Sequence, residues 1–294
     1  LVGMAFAAII IGALLRDYSA LRLVQVVQGT AVVTLLLNLI ALWKQEKVKP
    51  MTKAQREEAS PTFRDAWKDL ASGGDAGRLL AVVFIGTMAF NMQDVLLEPY
   101  GGEILGLSVS ATTLLTAMWA GGALIGFGFA ARWLAGGIDP YRMCARGILA
   151  GVLAFCAVIF SAPIGSPILF YIGAALIGFG GGLFGVSTLT AAMTMPTTGN
   201  AGRGLALGAW GAAQATGAGL SIFIGGTIRD LVNHAAGNGT LGEALATPAT
   251  GYSVVYHTEI GLLFLTLIVL GPLVRLRPIT DGRSAKLGLA DFPT

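Results

Sequence analysis

The sequence predicts an all-α protein built as a polytopic bundle of transmembrane helices. Three observations carry this. Mean hydropathy is +0.73. Charged residues make up only 12% of the 294 residues, against roughly 25% in a soluble domain. The apolar runs are uninterrupted and about 20 residues long, the length a spanning helix needs. Such a chain cannot cover its surface with polar groups, and in lipid every backbone group must be satisfied internally. A barrel would show alternating segments of about 10 residues instead, and none is present.

The apolar segments run over approximately 1–15, 21–43, 79–97, 109–133, 143–162, 168–193, 204–228 and 254–274. The first has no initiator Met, basic region or small-residue cleavage site, so it is not a signal peptide. It reads as the tail of a cut helix, and the chain as N-terminally incomplete. Of the 19 Lys and Arg residues, sixteen fall on one side of this layout, including Lys44, Lys53, Arg78, Arg132, Arg142 and Arg275; only Arg16, Arg22 and Arg229 fall on the other. The positive-inside rule then places the 44–78 loop and the C-terminal tail on the cytoplasmic side of an inner membrane.

Four regions follow. Residues 1–43 form the end of an N-terminal half, 44–78 a cytoplasmic central loop, 79–275 a C-terminal six-helix half, and 276–294 a cytoplasmic tail. Within the loop, Thr62 and Asp65 have capping-box spacing. Phe63, Trp67 and Leu70 share one helical face. This describes a short helix on the inner membrane surface with Arg64 and Lys68 toward head groups; a linker that touches nothing is the alternative. The segment 229–253, punctuated by Gly237, Asn238, Gly239, Gly242 and Pro248, is expected to be an irregular outer loop.

Catalytic patterns are absent. Gly180, Gly182 and Gly185 match GxGxxG, but no strand precedes them and no acid follows at dinucleotide-site spacing. Cys144 and Cys156 have no CxxC partner and read as small apolar residues. With two His, no Walker A sequence, no GxSxG and no HExxH, neither an enzyme, a metal centre nor a nucleic-acid partner is expected. The Gly clusters at 121–128, 178–185 and 208–219 let helix backbones approach closely.

The most informative stretch is Asn91 to Glu103. Counted from Arg78, Asp94 lies about 24 Å up its helix and Glu98 about 30 Å. At i and i+4 they share a face. Acids at this depth normally face a cavity or a partner, because lipid is costly for them; a helix end dipping into outer water is the other reading. Pro99 should end the helix at Glu98, and Gly101-Gly102 should turn the chain. Asn91, Gln93, Asp94, Glu98 and the distant Gln214 are the candidate polar lining. Gly136 to Arg142 forms a tight loop in which Asp139 can pair with Arg132, Arg142 and Arg146.

Two stretches carry a family resemblance: Met92 to Phe127 (MQDVLLEPYGGEILGLSVSATTLLTAMWAGGALIGF) and Arg203 to Thr216 (RGLALGAWGAAQAT). Both resemble the PucC/LhaA family, a photosynthetic branch of the major facilitator superfamily. The resemblance implies a major-facilitator-like bundle and a role in assembling light-harvesting antenna complexes. It also implies handling of bacteriochlorophyll, with antenna polypeptides and the reaction-centre complex as partners beside the lipid bilayer. Asn91, Gln93, Asp94, Glu98 and Gln214 would then be pigment ligands or polar lining, and His234 and His257 are the only imidazoles. A proton-coupled small-solute transporter using Asp94 and Glu98, and a structural subunit of a photosynthetic complex, are the alternatives.

Overall fold

The fold is seen in a computed structural model that describes residues 2–17, 19–42, 64, 67, 68, 70, 74–195 and 203–275. Its regular elements are helical: α1 (Val2–Leu14), α2 (Ala20–Leu42), α3 (Asp75–Asn91), α4 (Leu97–Glu103), α5 (Val109–Ala135), α6 (Pro140–Ile164), α7 (Pro167–Thr194), α8 (Arg203–Gly237) and α9 (Ala249–Arg275). Short 3-10 turns occupy Met92–Val95 and Glu243–Leu245. Six spans among the described residues are long and apolar enough to cross a bilayer: Ala20–Leu42, Asp75–Glu103, Val109–Ala135, Pro140–Ile164, Pro167–Thr194 and Ala249–Val274. The 35-residue α8 is not one of the six; its many Gly residues and Gln214 lower its hydropathy. This is an all-α polytopic membrane bundle.

Local chemistry sets the helix ends. Ser108 and Ser166 cap α5 and α7 by accepting from Ala111 N and Leu169 N, each at 3.3 Å. Asp139 caps α6, accepting from Tyr141 N at 2.9 Å and Arg142 N at 3.1 Å, and Pro140 follows at the first helical position, where its missing N–H costs nothing. Asp139 thus serves the α6 backbone, and Arg146 lies over the Trp133 ring at 5.6 Å. Gly165 ends α6 in the left-handed region at φ 66°.

Helix α7 is wedged between α5 and α6, and glycine makes this possible. A methyl at Gly122 would land on the Ala175 carbonyl oxygen, and one at Gly178 on that of Trp119. On the opposite face, a methyl at Gly180 would sit 2.8 Å from Gly147 O. The contacts of Gly122 with Ala175 and Gly126 with Phe179 advance together, so α5 and α7 run parallel; those of Gly147 and Gly173 run in reverse, so α6 is antiparallel to α7. Gly180 and Gly182 of the GxGxxG pattern are therefore packing residues, while Gly185 meets open space.

Helices α3, α8 and α9 form the other side, with α9 bridging to α6. Gly217 packs on Phe84 O and Gly225 on Met92 O, so α3 and α8 are parallel. Helix α1 packs on α5, where Ser110 Oγ donates to Gly12 O at 2.7 Å. Helix α2 buries no residue against the described chain. By chain direction, Arg78, Arg132, Arg142 and Arg146 lie at one end of the bundle and Arg229 at the other.

Two expectations meet the structure differently, and a third falls largely outside the described residues. The α3 helix does not end at Glu98; it breaks one turn earlier, at Met92–Val95, and resumes as α4 through Glu98, Pro99, Gly101 and Gly102. The physical reason is that Pro99 offers no N–H to the Val95 carbonyl, and its ring crowds that same carbonyl. The disruption falls upstream, while Pro99 itself occupies the first turn of a new helix. The chain then turns at Gly106, φ 64°. Second, 229–237 is helical rather than irregular, because Arg229 and Asn233 anchor α8 to its neighbours; only 238–248 separates α8 from α9. Third, the capping box and Phe63 of the surface helix lie outside the described residues. Arg64, Trp67, Lys68 and Leu70 are helical, and Leu70 is buried in an apolar cluster with Ala206 and Ala209. The tail after Arg275 also lies outside them.

Candidate functional site

The break between α3 and α4 gathers three polar side chains of unequal burial: Gln93 is buried, while Asp94 and Glu98 are exposed. The tightening to a 3-10 turn at Met92–Val95 turns Gln93 inward, where it is 2% exposed. Its side-chain amide donates to Phe90 O at 3.3 Å and to Asp94 Oδ1 at 2.5 Å. Asp94 and Glu98 both open onto a cleft of about 260 Å³, walled by Met4 of α1, Leu97 of α4, and Leu115, Thr116 and Trp119 of α5. Thr116 Oγ1 donates to Glu98 Oε1 at 2.8 Å, tying α5 to α4.

Of the five residues expected at this site, the structure brings Gln93, Asp94 and Glu98 together. Asn91 is the last residue of α3 and Gln214 sits half-buried on α8; neither lines the cleft. The i, i+4 spacing puts both acids on one face only in a continuous helix. Asp94 lies instead in the 3-10 turn and Glu98 in α4, and they meet because the cleft is shared.

Sequence reasoning missed Glu259. It lies in the middle of α9, fully buried, and neither carboxyl oxygen makes a hydrogen bond of ordinary geometry among the described residues. The polar groups that act on it are the Gln93 backbone and the Asp94 carboxyl. The hydroxyl of Tyr256, one turn earlier on the same face, is likewise buried and makes no hydrogen bond among the described residues. The signal was available: a lone acid inside an apolar spanning segment marks a functional position by itself.

Aromatic packing fixes the geometry around these acids. Tyr100 of α4 packs on Phe170 of α7 at 5.5 Å, and edge-on to Tyr252 and Tyr256 of α9 at 5.4 Å each. Edge-to-face pairs of this kind add about 0.5–1.5 kcal/mol beyond burial. At the end of α4, Arg229 Nη2 lies 3.1 Å from Glu103 Oε2 and donates to Tyr252 Oη at 2.7 Å, and Tyr252 donates to Glu103 Oε2 at 2.8 Å. The short helix is thereby held at both ends, and so are the carboxyls beside the break.

The arrangement can accept hydrogen bonds from a small polar guest or from a partner's side chains. Among the described residues no three of His, Cys, Asp or Glu converge as a metal cage. A cleft of about 260 Å³ is smaller than the roughly 300–1,000 Å³ of typical sites for drug-sized ligands.

The comparisons with known proteins agree on one family. A family model described as PUCC protein matches residues 1–277. A Rhodobacter capsulatus protein described by its place in the puhA-bchM intergenic region is 57% identical over 298 residues, covering 100% of this chain and 62% of that protein. Protein PucC of Rhodovulum sulfidophilum is 48% identical over 234 residues, covering 79% of this chain and 51% of that one. More distantly, the protein named bacteriochlorophyll synthase 44.5 kDa chain in R. capsulatus is 27% identical over 301 residues, covering 99% and 64%. The chain spans between about half and two thirds of the length of these relatives. With a match over nearly its whole length and a bundle of apolar spans, the chain belongs to the PUCC protein family, a family of multi-pass membrane proteins.

Proposed function

We propose that this chain is the larger part of a membrane assembly factor for bacterial light-harvesting antenna complexes, one that binds or hands over bacteriochlorophyll. The observation that carries the reading is the family match over residues 1–277. It joins the Met92–Phe127 stretch to the helix break with its buried Gln93 and its two acids on the cleft. The naming of one distant relative for bacteriochlorophyll adds to it. In this reading the bundle is the second half of a major-facilitator-like protein of the inner membrane. The 44–78 segment is the cytoplasmic connection between halves, and antenna polypeptides or the reaction-centre complex are the partners.

Bacteriochlorophyll would bring a Mg²⁺ with an axial position open to a protein donor. Gln93, Asp94 and Glu98 offer the oxygen donors that Mg²⁺ favours, but a cleft of about 260 Å³ does not house a macrocycle. Their role is polar lining at a contact surface: Thr116 orients Glu98, Gln93 orients Asp94, and the packed aromatics keep both at fixed depth. A second reading, a proton-coupled small-solute transporter, is favoured by the same volume and by three carboxyls, Asp94, Glu98 and Glu259, close to one helix break.

The test is an absorption spectrum of the full-length protein purified from phototrophically grown cells, together with antenna absorption in a strain lacking it. Co-purified pigment and reduced antenna support the assembly reading. A colourless protein and normal antenna overturn it. Solute uptake lost on Asp94→Asn favours the transporter.

A further inference from the structure

A second and larger concavity lies at the outer end of the bundle, away from the polar cleft. It has a volume of about 820 Å³ and lies between the end of α8, the 238–248 connection and the first turns of α9. Its walls are mainly apolar, with Val232, Leu241, Leu245 and Val254 prominent, and His257 faces into it. His257 stands eight residues into α9, about 12 Å along the helix, within an apolar span. An exposed imidazole at that depth is costly without a partner.

The hydrogen bonds of the groove single out one atom. Thr250 Oγ1 donates to Leu245 O at 2.7 Å, Thr258 Oγ1 donates to Val254 O at 2.8 Å, and the Thr247 and Thr250 hydroxyls meet at 3.0 Å. These side chains satisfy themselves. His257 Nδ1 lies 2.7 Å from the Ser253 carbonyl oxygen. A carbonyl only accepts, so Nδ1 carries the proton and the neutral ring keeps its lone pair on Nε2. Among the described residues Nε2 makes no hydrogen bond. This is the arrangement of metal-ligating histidines, whose second ring nitrogen donates to a backbone carbonyl and so fixes the tautomer and the ring orientation.

We propose that the groove seats a magnesium chlorin, with His257 Nε2 as the axial ligand of its Mg²⁺. The inference rests on the bacteriochlorophyll reading above and gives it an address that the polar cleft does not provide. A volume of about 820 Å³ is within the range of ligand sites, and apolar walls suit a flat apolar ring. A lipid chain would fill the same walls but has no use for a directed nitrogen lone pair, which is why the observations favour a Lewis-acidic metal centre.

The probe is bacteriochlorophyll a, titrated into the full-length protein in detergent and read by the shift of its long-wavelength absorption band and by the Raman markers of five-coordinate magnesium. His257→Leu should weaken binding at least ~10-fold and remove the histidine-ligated signature. His257→Gly should recover that signature when free imidazole is added, which separates loss of the ligand from loss of the fold. His234→Leu, on α8 outside the groove lining, should bind as the parent does. If His257→Leu binds the pigment within twofold of the parent with unchanged magnesium coordination, the groove holds lipid or a partner helix. The proposal then fails while the pigment-handling function stands. If the parent protein binds no pigment at all, the function reading itself fails and takes this proposal with it.

Discussion

Arg229 Nη2 lies 3.1 Å from Glu103 Oε2, joining α8 to the end of α4 across 126 positions of sequence. The guanidinium also stacks over Tyr252, 4.8 Å from the ring centre, and binds Asp230 through Nη1 at 2.9 Å. Glu103 is half exposed, so the pair alone is worth only about 0.2–1 kcal/mol. The cation–π contact adds a similar amount.

A double-mutant cycle on Arg229→Ala and Glu103→Gln isolates the ion pair from the ring contact and should therefore give a coupling of about 0.2–1 kcal/mol in thermal unfolding of the detergent-solubilised protein. Coupling indistinguishable from zero would mean that the aromatic packing of Tyr100 holds α4 unaided.

Glu259 should tolerate neutralisation better than its depth in the bundle implies. A buried carboxyl without hydrogen bonds pays for desolvation with little return. Glu259→Gln keeps the shape and should leave the thermal midpoint unchanged or raise it. A drop equivalent to more than about 2 kcal/mol would reveal a bonding partner for this carboxyl. The same variant should reduce function, if the acid is retained for its chemistry rather than for stability.

The glycines divide by what surrounds them. Gly122→Ala and Gly178→Ala drive a methyl into a facing carbonyl of the parallel partner helix and should cost about 1–3 kcal/mol. Gly121→Ala and Gly185→Ala meet open space and should gain up to about 0.5–1 kcal/mol, since alanine suits a helix better than glycine. Size-exclusion profiles of heated samples would rank all four; equal behaviour of the two pairs would contradict the close α5–α7 approach.

Asp94→Asn and Glu98→Gln should leave the protein inserted and abundant while lowering antenna assembly, read from antenna absorption and immunoblots of the same cells. Normal antenna in both variants would reduce the cleft to a simple packing fault at the helix break. Thr116→Val, which removes the donor to Glu98, should reproduce a weaker form of the Glu98→Gln effect.

Topology has its own test. With the 44–78 segment in the cytoplasm, Asn238→Cys should react with an impermeant thiol reagent in cells whose outer membrane has been made permeable, and Lys53→Cys should not. The reverse pattern would invert the assignment built on the distribution of Lys and Arg.

Length, hydropathy and composition by themselves determined that this protein is a helical membrane bundle, because a spanning helix must satisfy its own backbone within one continuous segment. They also placed Gln93, Asp94 and Glu98 on a shared polar stretch, since an acid at membrane depth is conspicuous in a one-dimensional reading. Tertiary structure alone decided the rest. Pro99 acts on a carbonyl one turn upstream, so the break sits at Met92–Val95 and not where the proline stands. Gly178 and Gly182 face α5 while Gly180 faces α6, a division that exists only once the neighbours are in place. Glu259 reaches Gln93 and Asp94 from more than 160 residues away, and the groove at His257 is enclosed by three segments that meet only on folding. Which face of a helix is buried, and against what, is a property of its neighbours, and in lipid those neighbours are chosen by close packing between helices rather than by any pattern within one of them.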